Sequence, residues 1–240
     1  MSGHSKWATT KRAKAVVDAK KGANFTKIAK LITIAARKGG DPTANFSLRI
    51  AMDKAKAINM PKDNIDRAIK RGTGESGGAL IEELIYEGIG PAKTQFIVKC
   101  LSDNKNRTAA EIRHLFSKHG GSLGVVAWNF SQRGIILIAS EEINDKKLNN
   151  ENFELELIDA GAEDIKKETE GLTIFTAPAD LQKVKQFLES KNIKTESAEV
   201  EYAAKEPADL NDEEKSQMEK FIEELDSDED VADYYTNANL

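Results

Sequence analysis

The sequence has few of the residues that mark secreted, zinc-binding or membrane proteins. A single cysteine, Cys100, cannot form an internal disulfide, which excludes a disulfide framework and a Cys-rich zinc module and is typical of a reducing compartment. No apolar run approaches the ~18 residues that a membrane span needs. The basic N-terminus is not followed by the apolar stretch of about 7–15 residues found in secretory signals. We therefore expect a cytoplasmic protein without a membrane partner.

Patterns that indicate an enzyme or a cofactor site are also missing. Gly72, Gly74 and Gly77 match G-x-G-x-x-G, but no strand is predicted before them and no phosphate-binding GK[ST] sequence occurs. A flexible hinge between domains is the better interpretation of these glycines. Cys100 lies in a predicted buried strand, where a small core residue is more common than a nucleophile.

The acidic residues near the C-terminus give no metal or catalytic signature. Asp226, Asp228 and Asp230 have the spacing that opens a calcium loop, but Val231 stands where the loop requires glycine. We interpret the three aspartates as a solvated acidic turn. Because no other carboxylates are spaced as an acid–base pair, we expect a non-enzymatic protein without a cofactor or a metal ion.

The distribution of charge along the chain is strongly uneven, although the net charge is only -5. Residues 1–75 contain 17 Lys and Arg against 6 Asp and Glu, whereas residues 76–240 contain 18 against 34. A basic module attached to an acidic body is typical of nucleic-acid binding, because a basic surface gains free energy by releasing condensed counterions. The alternative is a lysine-rich domain that docks on the acidic remainder of the chain.

The basic residues divide into an arm and a domain. We predict a flexible basic arm at residues 1–20 and a basic helical domain at residues 21–76. An exposed Trp7 among cations would stack on an unpaired base, and the alternative is a Trp7 that folds back over the first helix. The predicted nucleic-acid-binding residues are Lys6, Trp7, Lys11, Arg12, Lys14, Lys20, Lys21, Lys27, Lys30, Arg37, Lys38, Lys54, Lys56, Lys62, Arg67, Lys70 and Arg71.

Hydrophobic spacing predicts three helices in the basic helical domain. Apolar residues recur at intervals of three and four over 25–36 and again over 48–58, which places them on one face of each helix. Asp41 followed by Pro42 predicts the start of the second helix, because a capping carboxylate before proline suits a first turn. Gly72 is predicted to close the third helix.

Strands and helices alternate after the helical domain. Residues 132–202 follow the order β-α-β-β-α-β, which is the ferredoxin-like pattern. Residues 77–131 and 203–240 carry the same pattern in two pieces, with strands predicted at 125–130, near 200–204 and at Val231–Thr236. We predict an α+β fold with three domains, an N-terminal all-helical domain and two ferredoxin-like α/β domains, one inserted in the other.

Two element boundaries are also predicted from local signals. Thr108 with Glu111 three residues later forms a capping box, which predicts the start of a helix. The strand that closes the inserted domain is predicted at Ile193–Glu199.

Five segments resemble the YebC/PmpR family. They are GHSKWA at 3–8, FTKIAKLITIAARKGGDPTAN at 25–45, DKAKAINMPKDNIDRAIKRGTGE at 53–75, DNKNRTAAEIRHLFSKHGGSLG at 103–124 and DEDVADYYTN at 228–237. The resemblance implies a helical N-terminal domain and two α/β domains. The sequence departs from the family pattern at Ala92 and Lys93, where glycines are common, and after Gly124, where VVAWNF follows at once.

The resemblance leaves two functions open. Bacterial members are described as probable transcriptional regulators that bind promoter DNA, so the helical domain would hold duplex phosphates. Other members, including mitochondrial translational activators of cytochrome oxidase, resemble ribosome-associated factors, so the basic arm would contact ribosomal or transfer RNA. A third interpretation is an interaction protein whose basic domain binds an acidic partner. The sequence makes no prediction of oligomeric state.

Overall fold

The computed structural model describes residues 21–146, 148 and 150–239. The predicted basic arm, with Lys6, Trp7, Lys11, Arg12, Lys14 and Lys20, lies outside the described residues. The described part combines an N-terminal helical region with two four-stranded sheets, which confirms the α+β fold class. It divides into two compact units, one formed by 21–129 with 204–239 and the other by 130–203. The domain boundaries drawn from the sequence stay predictions.

The elements are numbered in chain order. The helices are α1 (Lys21–Ala36), α2 (Phe46–Ala57), α3 (Lys62–Thr73), α4 (Lys105–Lys118), α5 (Ser140–Asp145), α6 (Glu151–Ala160), α7 (Leu181–Ser190) and α8 (Asp212–Ser227). The strands are β1 (Glu82–Ile89), β2 (Gln95–Ser102), β3 (Ser122–Leu123), β4 (Phe130–Ala139), β5 (Ala162–Glu168), β6 (Gly171–Thr176), β7 (Ser197–Ala204), β8 (Ala208–Asp209), β9 (Val231–Thr236) and β10 (Ala238–Asn239). Short 3-10 turns occupy Pro91–Lys93 and Ala127–Asn129. None of the described helices is both long enough and apolar enough to cross a bilayer.

The first three helices enclose the small core that their spacing predicts. Its buried residues are Ile32, Ala36, Leu48, Ala51, Ala55, Met60, Ile65 and Ala68. The predicted start of α2 is wrong, because the Asp41 carboxylate accepts hydrogen bonds from the Thr43 amide at 2.8 Å and its hydroxyl at 2.7 Å, which closes a turn. Asn45 caps the helix instead, accepting from the amide of Leu48 at 3.1 Å.

Gly72 lies inside α3, one residue before the end, and permits close packing against α1. A Cβ atom at this position would lie 2.3 Å from the Thr33 carbonyl oxygen and 2.6 Å from Ala36 Cβ. The helix ends at Thr73 and is capped by Gly74, whose φ of +87° lies in the left-handed region that glycine adopts at little cost. The prediction that Gly72 closes α3 was therefore wrong.

The sheet of the first unit has the order β3-β1-β2-β9. Helices α4 and α8 cover one face of it, where Phe96, Phe116 and Phe221 meet edge to face. The second unit has the order β5-β6-β4-β7, which is the ferredoxin-like arrangement of its six elements.

Two predicted strands of the first unit are not formed as expected. The strand at 125–130 was wrong, because the Glu87 carboxylate accepts from the amides of Val126 and Ala127 at 2.8 and 2.7 Å and holds them in a turn. Residues 200–204 are the end of β7 and belong to the second sheet. In the first sheet, the strand between β3 and β2 is β1 and not the predicted strand near 200–204. The strand predicted at Ile193–Glu199 begins later, at Ser197.

The predicted capping box at Thr108 was also wrong. Asn104 caps α4 and accepts from the amide of Arg107 at 3.1 Å. Thr108 lies in the first turn of α4, where its hydroxyl donates to Asp230 at 2.8 Å. The same hydroxyl lies 3.1 Å from the Asn104 carbonyl oxygen, so Thr108 joins the first turn of α4 to Asp230 instead of capping the helix.

Candidate nucleic-acid interface

The helical region carries an exposed set of cations. Seven predicted binding residues of the described part are exposed, and we call them the exposed cations: Arg37, Lys38, Lys56, Lys62, Arg67, Lys70 and Arg71. They lie just after α1, on α2 and on α3. Helix α3 buries Ile65 and Ala68, and its periodicity therefore turns Arg67, Lys70 and Arg71 toward solvent.

The arginines among the exposed cations are positioned by short contacts within the chain. Arg71 Nη2 donates to the Ala79 carbonyl at 3.1 Å, and Arg67 Nε donates to the Asp63 carbonyl at 3.2 Å. Arg37 donates to the carbonyl of Ile81. A guanidinium has five N–H donors, so these contacts orient the three side chains and leave donors for phosphate oxygens.

Two predicted binding lysines of α1 instead face the acidic C-terminal segment. Lys27 Nζ donates to the Asp226 carbonyl at 2.8 Å. Lys30 Nζ donates to the Glu229 carbonyl at 2.8 Å and to Asp230 Oδ1 at 2.6 Å. The side chain of Lys30 is only 17% exposed, so this cation is engaged within the chain.

The partner of Lys30 is the centre of a buried polar network that sequence reasoning missed. Asp230 Oδ2 accepts hydrogen bonds from Ser102 at 2.9 Å, Arg107 at 2.9 Å and Thr108 at 2.8 Å. We call these four residues and Lys30 the Asp230 cluster. Asp230 is 5% exposed, so its interpretation as part of a solvated turn was wrong. Its position directly before the strand β9, which begins at the buried Val231, was the signal available in the sequence.

Electrostatics keep Asp230 ionised. Burial alone would raise the pKa of this carboxyl, but the hydrogen bonds from Lys30, Arg107, Thr108 and Ser102 outweigh burial and hold the pKa well below its usual range. Two cationic partners and two hydroxyl donors already occupy the oxygens of this carboxylate. Asp230 therefore joins elements of the fold and does not bind a ligand.

The described residues give no sign of a metal centre or a reactive thiol. No group of three or more His, Cys, Asp and Glu side chains in this part of the chain is placed to hold a metal ion. Cys100 is fully buried, which confirms its prediction as a core residue, and burial raises the pKa of its thiol. The remaining predicted residues are Lys54, which is half-buried, and Lys21, at which α1 begins.

Comparison with known proteins places these features in a family. Residues 5–75 match the model of the TACO1/YebC N-terminal domain, and residues 81–238 match that of the TACO1/YebC second and third domains. A probable transcriptional regulatory protein of Thermoanaerobacter pseudethanolicus is 48% identical over 100% of this chain and 98% of its own length. One of Caldanaerobacter subterraneus is 45% identical over 100% and 99%. The crystal structure of a conserved hypothetical protein from Aquifex aeolicus has a TM-score of 0.80 and 36% identity, covering 93% of this chain and 92% of that one.

Proposed function

The chain belongs to the TACO1/YebC family, and from this premise we propose that it is a non-enzymatic, cytoplasmic regulator of gene expression that binds nucleic acid. The names of its relatives support a DNA-binding transcriptional regulator as the first candidate. In this proposal the arm at residues 1–20 and the helical domain at 21–76 contact the nucleic acid. Residues 77–131 with 203–240, and the inserted 132–202, form the acidic body.

The observation that carries the proposal is the exposure of the cations on the helical region. Residues 21–75 contain 12 Lys and Arg against 5 Asp and Glu, and the seven exposed cations lie on the solvent side of the small helical core. Each phosphate that such a surface neutralises releases condensed counterions. This gain does not depend on base sequence, so the exposed cations position the protein on a polymer without specifying a site.

A second candidate is a ribosome-associated translation factor, and the spread of the exposed cations favours it. Reading of a B-form major groove concentrates contacts on one helix, whereas the exposed cations lie just after α1, on α2 and on α3. Folded RNA is recognised largely through shape, backbone contacts and unstacked bases. In this candidate the basic arm, through Lys6, Trp7, Lys11, Arg12 and Lys14, contacts ribosomal or transfer RNA.

Two binding assays on the full chain test both candidates. In a promoter shift assay and a ribosome cosedimentation assay, both with nonspecific competitor DNA, sequence-dependent retention of DNA supports the transcriptional role. Ribosome binding that survives the competitor supports the translational role. If about six phosphates are neutralised on duplex DNA, log affinity falls against log salt with a slope near -5.

Charge-removing variants locate the interface. Replacing Lys62 and Lys70 together with glutamine should weaken binding at every salt concentration and reduce the salt slope by about two. The matched control replaces Lys183 and Lys194, exposed lysines of the second unit, with glutamine. This double variant should leave binding unchanged. Equal losses in both double variants, or a binding constant independent of salt, would contradict the proposal.

A further inference from the structure

We propose that the groove between α1 and α3 binds one unpaired nucleotide of a nucleic acid. The groove has a volume of about 390 Å³, which lies within the range of about 300–1,000 Å³ typical of small-molecule sites. This inference rests on the proposed function and deepens it, because it states which form of nucleic acid the helical region holds.

The charge of the groove favours an anionic ligand. Among the residues that the structure describes, its lining includes three cations, Lys30, Arg67 and Arg71, and no carboxylate. Lys30 is neutralised by Asp230 at 2.6 Å. Arg67 and Arg71 are exposed and lie one turn apart on α3, so both guanidinium groups stand at the same edge of the groove, where their planar donors suit a phosphate.

The remainder of the groove suits the face of a base. Ala29 and Ala68 carry the shortest apolar side chains, and they leave open space between the helices. Phe25 lines the same groove and is half-buried. A phenyl ring stacks on any base, because every base has a π face.

The same groove offers a polar group for the edge of a base. Asn64 lines it, and its carbonyl oxygen already accepts from Arg67. The Asn64 amide therefore retains N–H donors for an acceptor on the ligand. A base inside a duplex is covered on both faces and paired along this edge, so only an unpaired nucleotide presents the face and the edge together.

The charge at the rim also argues against the chain's own arm as the occupant. Trp7 is flanked by Lys6, Lys11 and Arg12 in the sequence, and these cations would be brought toward Arg67 and Arg71. Like charges at such a distance repel. The phosphate of a nucleotide carries a negative charge and is attracted to Arg67 and Arg71 instead.

Binding of two oligonucleotides to the full chain tests the proposal. The probes are a fluorescent 12-nucleotide single strand of mixed sequence and the duplex formed with its complement, measured by anisotropy at ~0.1 M salt. In Phe25→Leu, which keeps an apolar side chain, the affinity for the single strand should fall about tenfold because stacking is lost. Duplex affinity should stay within about twofold. Arg71→Gln should lower single-strand affinity more than duplex affinity.

Two controls distinguish the groove from general charge. Lys70→Gln removes an exposed cation of α3 that does not line the groove, and it should weaken both probes equally. Unchanged thermal unfolding of Phe25→Leu shows that the core is intact. If Phe25→Leu binds both probes as the wild type does, or loses both equally, the groove does not hold a base.

Three outcomes distinguish failure of the groove from failure of the proposed function. A rise in single-strand affinity in Trp7→Ala would show that the chain's own indole fills the groove. Failure of the wild type to bind either probe, or ribosomes, would overturn the proposed function itself. If the wild type binds the duplex but Phe25→Leu does not lower the affinity for the single strand, only the proposal of a nucleotide in the groove is overturned.

Discussion

Lys30 Nζ lies 2.6 Å from Asp230 Oδ1, although the two residues are separated by 200 positions in the sequence. The contact joins α1 of the basic helical region to the turn before β9. Both side chains are largely buried, at 17% and 6% exposure. Lys30, together with Lys27, thus fixes α1 against the acidic C-terminal segment, while the exposed cations remain available to solvent.

Removing the charge of Asp230 should destabilise the protein. In Asp230→Asn, Lys30 loses its carboxylate partner in a largely buried place and Arg107 loses a partner at 2.9 Å. Breaking a buried pair on one side leaves an uncompensated charge, so the free energy of unfolding should fall by about 3 kcal/mol in urea titrations at pH 7, at the low end of the usual range because Lys30 and Arg107 are partly exposed. Asp66→Asn, at an exposed position, should change it by less than about 0.5 kcal/mol. Equal effects would contradict the role of the Asp230 cluster.

The contribution of Asp230 should depend on pH. Because hydrogen bonds from Lys30, Arg107, Thr108 and Ser102 hold its folded pKa well below the usual range, the folded state binds fewer protons than the unfolded state. The stabilisation is therefore complete above the unfolded pKa of about 3.9 and declines as pH falls through and below that value. Urea titrations of the wild type and Asp230→Asn at pH 7, 5 and 3 should show the same difference in the free energy of unfolding at pH 7 and 5 and a smaller difference at pH 3, because the unfolded carboxyl is largely protonated there while the folded one is still ionised. A constant difference would contradict this linkage.

The parts of the fold that sequence predicted are those fixed by local pattern. The helical core of α1, α2 and α3 follows from apolar spacing, and β9 has the bounds that were predicted, Val231–Thr236. The parts that sequence missed are fixed by distant partners. Glu87 accepts hydrogen bonds from the amides of residues 126 and 127 and holds them in a turn. Because Glu87 is 39 and 40 positions away, the local sequence does not predict this turn.

The candidate interface shows the same division. A helical pattern shows which lysines lie opposite the apolar face of α1, but it does not show whether another element covers them. Arg37 and Lys38 are exposed, whereas Lys27 and Lys30 contact the segment 226–230. The groove between α1 and α3 is likewise a product of packing, because Phe25 and Arg71 line one cavity only in the folded chain.

Adding a methyl group at Gly72 should separate α1 from α3. A Cβ atom there would lie 2.3 Å from the Thr33 backbone oxygen, and a backbone atom cannot rotate away as a flexible side chain does. Gly72→Ala should lower the free energy of unfolding by about 1–3 kcal/mol, the usual effect of overpacking, although alanine favours helix formation. Urea titration measures the change. Gly124→Ala is the matched control, because a Cβ atom there would have nothing within 4 Å, and it should not destabilise the protein. If the free energy of unfolding falls as much in Gly124→Ala as in Gly72→Ala, the steric explanation is ruled out.

The turn between β1 and β2 should become more stable when glycine is introduced. Ala92 and Lys93 have φ angles of +53° and +59°, in the left-handed region that costs a residue with a Cβ atom roughly 1–2 kcal/mol. Glycine relieves this cost, but it also gives the unfolded chain more freedom, which costs about 0.5–1 kcal/mol. Lys93→Gly should therefore raise the free energy of unfolding by about 0.5–1 kcal/mol.

The comparison with an asparagine separates relief of strain from a general effect of glycine. Asn59 has a φ of +55°, and asparagine tolerates this conformation through its short polar side chain. Asn59→Gly should therefore bring no gain in the free energy of unfolding, because the entropy cost of glycine is not offset. Thermal and urea unfolding of Ala92→Gly, Lys93→Gly and Asn59→Gly measure the three changes side by side. A gain confined to positions 92 and 93 supports the strained turn, and a loss of stability in Lys93→Gly would show that the left-handed backbone there carries no net cost.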